Sequence, residues 1–117
     1  MNRLQFCADY PHLPAATPNS DPSLRGSPVA LQEEAGAKRV YLLNYLDQNE
    51  ISTRLLLAGS LTRQPYMIGC DYRITGRLTN TDIVMNQTLW LRVFPALRTE
   101  HLDYIADKLD EFFGVNF

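Results

Sequence analysis

The segment from Thr88 onward constrains the fold most, because it holds the two periodicities that a packed domain needs. Along Thr88–Phe94, apolar Leu89, Leu91 and Val93 alternate with Trp90, Arg92 and Phe94, which predicts a strand with one apolar face and an arginine between two aromatics on the other. Pro95 ends this strand. Beyond it, apolar residues recur at helical spacing, namely Leu102, Ile105, Leu109, Phe112 and Phe113. They predict the buried stripe of a helix that Thr99 caps and Gly114 ends.

The upstream sequence predicts shorter elements that complete a two-layer domain. We expect a strand at Val29–Leu31, a helix over Ala37–Asn49 with Val40, Leu43 and Leu46 on one face, and a strand at Ile51–Leu57. We further expect a loop over Ala58–Gly69, an edge strand at Tyr72–Thr75 and a short helix at Thr81–Gln87. The predicted fold class is α+β, a small two-layer domain with helices packed on one face of a mostly antiparallel sheet.

Prolines set the expected domain boundary. Between Asp9 and Pro28 the chain holds Pro11, Pro14, Pro18, Pro22 and Pro28. Proline removes a backbone donor and disfavours helix in the residue before it, so this stretch is predicted to be irregular. We therefore divide the chain into a lead-in over residues 1–28 and a folded domain over residues 29–117.

Charge and cysteine content limit the kinds of partner and the cellular compartment that we expect for this chain. Acidic residues number 13 and basic residues 11, so the net charge of −2 argues against a nucleic-acid-binding domain. Residues 51–98 nevertheless hold six arginines against two aspartates, which suits either a phosphate-bearing ligand or a solvated surface. Cys7 and Cys70 form no metal-binding or disulfide pattern, and no leader or long apolar run is present. These features predict a cytoplasmic protein without a membrane span.

No catalytic constellation is visible in the sequence. His12 and His101 lie in unrelated segments, Lys38 and Lys108 are expected on the polar sides of helices, and Gly59 is isolated. A solvated lysine keeps its high pKa and does not form Schiff bases readily, so no catalytic, cofactor-binding or metal-ligating residue is predicted. The remaining candidate is Arg54–Tyr66, where an arginine is followed by a turn rich in hydroxyl, guanidinium and amide groups. It is interpreted as a binding loop or as an ordinary polar connection.

A resemblance favours the binding loop. Ile51-Ser-Thr-Arg54 and Ala58-Gly-Ser-Leu-Thr-Arg-Gln-Pro-Tyr66 closely resemble the C-terminal region of the CDP-4-keto-6-deoxyglucose 3-dehydratase family, within the sugar aminotransferases and dehydratases of aspartate-aminotransferase fold. The resemblance runs from about Leu13 to Phe117. It continues through Asn19-Ser-Asp-Pro-Ser23, Tyr72-Arg73, Leu78-Thr-Asn-Thr-Asp82, Met85-Asn-Gln-Thr88 and Leu102-Asp-Tyr104.

The resemblance implies a C-terminal small domain whose large domain lies outside this chain. Such enzymes use pyridoxamine phosphate, and some also an iron–sulfur cluster, to remove the 3-hydroxyl of a CDP-linked 4-keto-6-deoxy sugar in lipopolysaccharide O-antigen biosynthesis. The cofactor pocket, the catalytic histidine and the cluster cysteines belong to the large domain, so this chain alone is predicted to be inactive. By resemblance, the substrate-facing residues are Arg54, Ser60, Thr62, Arg63, Gln64 and Tyr66.

Departures from the family pattern keep two rival interpretations open. Leu24-Arg-Gly-Ser-Pro28 stands where the family has Trp-Phe-Gly-Phe-Pro, Ser60 replaces an asparagine, and Arg92 and Ala96 replace glycines. One rival is a free-standing accessory or remnant binding protein without catalysis. The other is a fragment of a nucleotide-sugar aminotransferase, which differs in reaction but not in fold.

Overall fold

The protein is described by a computed structural model over residues 11–12, 15–23, 26–32 and 39–116. Its strands are β1 (Pro11–His12), β2 (Gly26–Leu31), β3 (Thr53–Leu55) and β4 (Thr88–Arg92), and its helices are α1 (Arg39–Gln48), α2 (Thr79–Gln87) and α3 (Thr99–Asn116). Two single 3₁₀ turns, Leu61–Arg63 and Pro65–Met67, lie between β3 and α2. In these described segments no helix is both long enough and apolar enough to cross a membrane.

The four strands form one antiparallel sheet in the order β1-β2-β4-β3. Strand β4 has neighbours on both sides, with Val29 of β2 opposite Leu89 and Thr53 of β3 opposite Leu91. Its alternation buries Leu89 and Leu91, while Trp90 is half-buried and Arg92 is exposed. The predicted α+β fold class is confirmed.

A single apolar core joins the sheet to α1 and α3. Phe112 stacks at a tilt on Tyr45 of α1 with ring centroids 5.3 Å apart, and meets Phe113 edge-on at 5.4 Å. The buried members of this core are Val29, Leu31, Leu42, Leu46, Ile51, Leu89, Leu91, Leu109, Phe112 and Phe113. The core therefore draws on both ends of the described chain, which ties the N-terminal strand to the C-terminal helix.

The lead-in is more regular than its prolines predicted. Strand β2 begins at Gly26 rather than Val29, and Pro11–His12 pair with Leu31 and Ala30. Because β1 borders only that end of β2, Pro28 lies where the strand forms the edge of the sheet, a position at which proline is tolerated. The expectation of an entirely irregular stretch up to Pro28 was wrong.

Two further strand predictions were wrong, one because the strand is shorter than predicted and one because no strand forms. Strand β3 ends at Leu55, because Leu55 pairs with Leu89 and residue 57 would have to pair with Gln87, which already belongs to α2. Tyr72–Thr75 form no strand and are exposed along their whole length. Neither segment pairs with another described strand there, and a strand without a partner strand is not stable.

The helices match their predicted positions more closely than their predicted faces. In α1, Leu42 and Leu46 are buried, whereas Val40 is exposed and Leu43 lies at the margin of the core. In α3, Ala106 is buried and Leu102 is not. Helix α3 also continues through Gly114, since glycine lowers helix stability without forcing an end.

The start of α3 differs from the predicted cap as well. Thr99 is the first helical residue, and the backbone N–H of Arg98 donates to Nδ1 of His101 at 3.0 Å. This is the reciprocal half of a capping box, in which a side chain in the first turn satisfies the residue that precedes the helix. Lys38, Cys7 and the first part of the predicted Ala37–Asn49 helix lie outside the described residues.

Candidate functional site

The candidate loop turns sharply as it leaves β3. Ala58 and Gly59 both have left-handed backbones, with φ of 55° and 65°. A Cβ atom added to Gly59 would lie 2.5 Å from Cγ of Met85 on α2. Glycine is required there for both reasons, because it adopts positive φ without a penalty and has no side chain to collide with α2.

Three predicted site residues fasten this loop to itself. The buried Ser60 hydroxyl lies 3.0 Å from the Thr62 hydroxyl. The Gln64 side-chain amide donates to the carbonyl of Ala58 and, at 3.4 Å, to that of Ser60. The structure thus brings Ser60, Thr62 and Gln64 together, with these polar groups bonded within the loop, so that they define its shape.

Arg63 ties the loop to α2. Its Nε and Nη2 donate to the two carboxylate oxygens of Asp82, each at 2.6 Å. The pairing holds the pKa of Asp82 below its usual range and raises the pKa of Arg63, in both cases chiefly through these hydrogen bonds. Because the pair engages only some of the guanidinium N–H groups and Arg63 is exposed, the remaining donors are available to an anion from solvent.

Arg54 lies in a different setting, on the sheet. It is opposite Trp90 in the β3–β4 register. A groove of about 360 Å³ beside it is lined by Arg54, Trp90, Leu91, Arg92, Val93 and Phe94. The indole nitrogen of Trp90 is buried and bonds to none of the described residues. The groove thus combines two guanidinium groups with two aromatic rings, and none of the loop residues Ser60 to Tyr66 lines it.

Arg92, Trp90 and Phe94 were not predicted as site residues. Their signal was present in the sequence, since the exposed face of the Thr88–Phe94 strand places an arginine between two aromatics. Tyr66, which was predicted, is exposed on the second 3₁₀ turn, and its carbonyl accepts a hydrogen bond from the Cys70 thiol at 3.4 Å. Its phenol ring is therefore open to solvent.

Arg39 secures α2 from the opposite side and had no sequence signal. Its Nη1 donates to the carbonyls of Met85, at 2.6 Å, and Thr88, at 3.2 Å. Those residues lie at the end of α2 and the start of β4. The helix that carries Asp82 and Met85 is thus fixed at its C-terminal end, so the loop rests on a rigid support.

A larger groove of about 470 Å³ lies between the end of β4, the first half of α3 and residues 49–52, which connect α1 to β3. Arg92 and Phe94 line this groove as well, together with Glu50, His101 and Tyr104. The Tyr104 hydroxyl donates a hydrogen bond to the carbonyl of Asn49 at 3.2 Å. None of the predicted site residues lines this groove. Since both grooves share Arg92 and Phe94, they flank the C-terminal end of β4.

Among the described residues, no lysine is poised to form a Schiff base with a pyridoxal-type cofactor. Lys108, the lysine they include, donates to Glu111 at 2.7 Å, and this bond raises the pKa of Lys108. Schiff-base chemistry needs a neutral amine, which this pairing disfavours. Over the same ranges, no three His, Cys, Asp or Glu side chains are grouped so as to hold a metal ion.

Sequence comparisons agree with the resemblance. The chain is 54% identical over 114 residues to the lipopolysaccharide biosynthesis protein RfbH of Salmonella typhimurium, covering 97% of this chain and 26% of RfbH. It is 42% identical over 100 residues to the dTDP-4-dehydro-2,6-dideoxy-D-glucose 3-dehydratase of Saccharopolyspora spinosa, covering 86% of this chain and 22% of that enzyme. The chain thus spans about a quarter of the length of these curated relatives.

Solved structures share the fold. E. coli GDP-4-keto-6-deoxy-D-mannose-3-dehydratase with bound hydrated PLP matches with a TM-score of 0.79 and 19% identity, over 92% of this chain and 28% of that one. S. venezuelae DesV in complex with a ketimine intermediate matches with a TM-score of 0.76 and 22% identity, over 96% and 29%. The family model for DegT/DnrJ/EryC1/StrS aminotransferases matches residues 5–110. With nearly the whole chain matched, this protein belongs to the DegT/DnrJ/EryC1/StrS aminotransferase family.

Proposed function

We propose that this chain is the C-terminal small-domain portion of a nucleotide-sugar 3-dehydratase of lipopolysaccharide biosynthesis. The proposal is carried by sequence similarity over most of the chain. The chain is 54% identical to a protein named for lipopolysaccharide biosynthesis and 42% identical to one named as a nucleotide-sugar 3-dehydratase. The proposed substrate is a CDP-linked 4-keto-6-deoxy sugar. Cofactor chemistry is assigned to the part of the full-length protein that this chain does not match.

The role of the chain in such an enzyme is to bind and orient an anionic substrate. Arg63 keeps donors free beside Asp82, and its loop is preshaped by Ser60, Thr62 and Gln64. A loop that is already ordered loses less conformational entropy when it binds a diphosphate. Arginine suits this ligand because its planar fork donates two parallel hydrogen bonds to phosphate oxygens.

Arg54 extends the proposed contact surface onto the sheet. It shares the smaller groove with Arg92, Trp90 and Phe94, which offer charge and flat apolar surface together. A nucleoside diphosphate needs the same combination, since its base stacks on aromatic rings and its phosphates bind guanidinium groups. We assign the base to this groove and the diphosphate to the guanidinium groups of Arg54 and Arg63.

An NMR titration of the full chain with CDP at low salt tests the proposal. The expected affinity is millimolar, about −4 kcal/mol, because the rest of the substrate pocket is missing. Shifts should concentrate at Arg54 and at Ser60 to Gln64, fade with added salt and disappear in Arg63→Ala. Asp82→Asn, which removes the negative charge beside Arg63, should retain the shifts.

Two results would contradict the proposal. Equal shifts at all arginines, Arg73 and Arg77 included, would indicate nonspecific attraction of anions. Equal shifts in the Arg63→Ala variant would remove the loop from the site. Parallel titrations with dTDP and GDP test the choice of CDP, since the relatives and neighbours act on or contain different nucleotides by name.

The aminotransferase alternative rests on the family description. It shares the small-domain fold and the need to bind a nucleotide sugar, so CDP binding does not separate it from a dehydratase. The two reactions differ in their product, which either lacks the 3-hydroxyl or carries a new amino group. Because the cofactor chemistry is assigned to the rest of the full-length protein, the mass of the product made by that full-length protein separates the two reactions.

A further inference from the structure

The larger groove, at the end of β4, carries charges of both signs. Glu50 and Arg92 both line it, and both are exposed. Within the described residues, neither side chain takes part in a hydrogen bond or an ion pair, and the ion pairs that do form lie elsewhere, in Arg63–Asp82 and Lys108–Glu111. The carboxylate and the guanidinium are therefore both open to a ligand in the groove.

Glu50 has a strained backbone conformation. The Ile51 N–H donates to the carbonyl of Leu46 at 2.9 Å and the Glu50 N–H donates to that of Asp47 at 3.0 Å, which is the Schellman motif that ends α1. Glu50 occupies its left-handed position, with φ of 59°. Glycine is the usual residue there, because a Cβ atom is unfavourable at this φ. Strained residues cluster at functional sites, so a glutamate here, whose carboxylate bonds to none of the described residues, indicates a use for that carboxylate.

The opposite charge in the groove has a second donor beside it. His101 lines the groove with Arg92, and its Nδ1 accepts a hydrogen bond from the N–H of Arg98 at 3.0 Å. The ring proton therefore sits on Nε2, which is a donor. The bond from the Tyr104 hydroxyl to the carbonyl of Asn49 joins the first half of α3 to the turn that carries Glu50. The walls of the groove are thus held together before any ligand arrives.

Apolar side chains supply most of the remaining lining, namely Ile51, Leu91, Phe94, Leu97 and Ile105. Ile51 and Leu91 belong to the buried core, so this part of the lining is fixed. The volume of about 470 Å³ lies within the roughly 300–1,000 Å³ that is typical of small-molecule sites. Such sites combine an apolar lining with a few polar groups that orient the ligand, as this groove does.

We propose that the larger groove binds an α-amino acid with a large apolar side chain. The ammonium group binds the Glu50 carboxylate, and the ligand carboxylate binds Arg92 and Nε2 of His101 through charge-assisted hydrogen bonds. The apolar side chain of the ligand packs on Ile51 and Leu91. A zwitterion satisfies both charges of the groove at once, whereas an anion or a cation alone leaves one of them without a partner.

The groove lies at the opposite end of the β3–β4 pair from the candidate loop. The loop leaves β3 at Leu55, which is opposite Leu89, whereas the groove lies at the end where Thr53 is opposite Leu91. A phosphate ligand is disfavoured in the groove, because the Glu50 carboxylate would repel it. The inference therefore goes beyond the proposed function and does not depend on it.

An NMR titration of the chain with L-leucine tests the proposal. Saturable shifts are expected at Glu50, Arg92 and His101. Isocaproate lacks the ammonium group of leucine and isoamylamine lacks its carboxylate, so each should bind about tenfold or more weakly. L-Alanine keeps both charges but has little apolar side chain, and it should also bind about tenfold or more weakly.

Two substitutions at Glu50 separate binding from stability. Glu50→Gly removes both the carboxylate and the strain, so it should raise the urea midpoint of unfolding while weakening L-leucine binding about tenfold or more. Glu50→Gln keeps the strained Cβ and loses the charge, so it should weaken binding in the same way with a midpoint close to that of the parent. Arg92→Gln should also weaken binding. Arg98→Gln, the same change at an exposed arginine that does not line the groove, should leave binding unchanged.

The absence of saturable shifts with L-leucine would overturn the proposal, and so would isocaproate binding as tightly as L-leucine. Unchanged affinity in Glu50→Gly would do the same, because it would leave the carboxylate without a role in binding. If CDP displaces L-leucine and shifts the same residues, the groove belongs to the nucleotide surface and this proposal fails. L-Leucine binding without any CDP binding would contradict the proposed function alone.

Discussion

Gly59 and Met85 are close neighbours although Gly59 lies in the loop that follows β3 and Met85 lies on α2. The backbone of Gly59 passes over the Met85 side chain with room for a hydrogen but not for a methyl group, and its φ is +65°. Gly76 has a similar φ of +74°, yet nothing lies within 4 Å of where its Cβ would be. Both glycines therefore have a left-handed backbone conformation, but only Gly59 is closely packed against another side chain.

Gly59→Ala should lower the free energy of unfolding more than Gly76→Ala. Each variant places an L-residue in the left-handed region, which costs about 1–2 kcal/mol. Only Gly59→Ala also forces a methyl group into Met85, which adds about 1–3 kcal/mol of overpacking. Urea unfolding of both variants and the parent measures the difference. Equal losses would show that the loop does not press on α2.

For single residues, the sequence predicted which residue types form the loop but not which groups they bond to. Arg63 and Gln64 could be selected because a resemblance marked them, whereas Asp82 and Arg39 act across long sequence separations that no local pattern reveals. Whether the six selected residues face a substrate stays a prediction. Arg92 was accessible to the same reasoning, since the strand alternation had already placed it beside Trp90.

Helix α3 is the element whose burial is most unequal between its two ends. Leu109, in its second half, is 2% exposed, whereas Leu102, in its first turn, is 41% exposed. Phe112 and Phe113 complete the buried end and contact each other edge-on. The apolar stripe continues to the N-terminus of the helix in sequence, but the core that covers it does not.

Leu109→Ala should therefore destabilise the protein by about 2–5 kcal/mol, since it leaves a cavity between α3 and the sheet. Leu102→Ala is the matched control and should cost about 0.5 kcal/mol or less, as exposed substitutions do. Thermal or denaturant unfolding of the two variants measures both values. Coincident curves for Leu109→Ala and the parent would place the helix elsewhere.

Elements were predicted well where one segment alone determines them. Strand β4, α2 and α3 follow from local periodicity, and their positions agree with the structure within a few residues. Strand β3 and the expected edge strand at Tyr72–Thr75 depend on a partner, and the sequence does not state which strands pair. The wrong face of α1 has a similar cause, because Val40 and Leu42 are equally apolar and only the position of the sheet selects between them.

For the molecule as a whole, the fold class was predictable because strand and helix patterns bury one face each and require a two-layer arrangement. Family membership was also predictable, although from a set of short motifs in register rather than from any catalytic residue. The boundary at residue 28 remains a prediction. It marks a change in composition, whereas the sheet already takes in Gly26 and the Pro11–His12 strand.

The whole chain is expected to bind neither pyridoxal phosphate nor pyridoxamine phosphate. Among the described residues, Lys108 is paired with Glu111 rather than poised for a Schiff base, and Gly59 is isolated in the sequence, so no glycine loop is there to bind the cofactor phosphate. An absorbance titration at micromolar cofactor should show no saturable change. The E. coli dehydratase that matches this fold with bound hydrated PLP serves as the positive control. A saturable band with the present chain would overturn the expectation.

Helix α2 passes into β4 without an intervening residue, since one ends at Gln87 and the other begins at Thr88. Arg39 clamps that junction through the carbonyls of Met85 and Thr88. Because no residue separates them and Arg39 bonds to both, the orientation of α2 relative to the central strand is fixed, and α2 carries Asp82. Through Arg63 and Asp82, the candidate loop is therefore joined to the middle of the sheet by one continuous stretch of helix and strand.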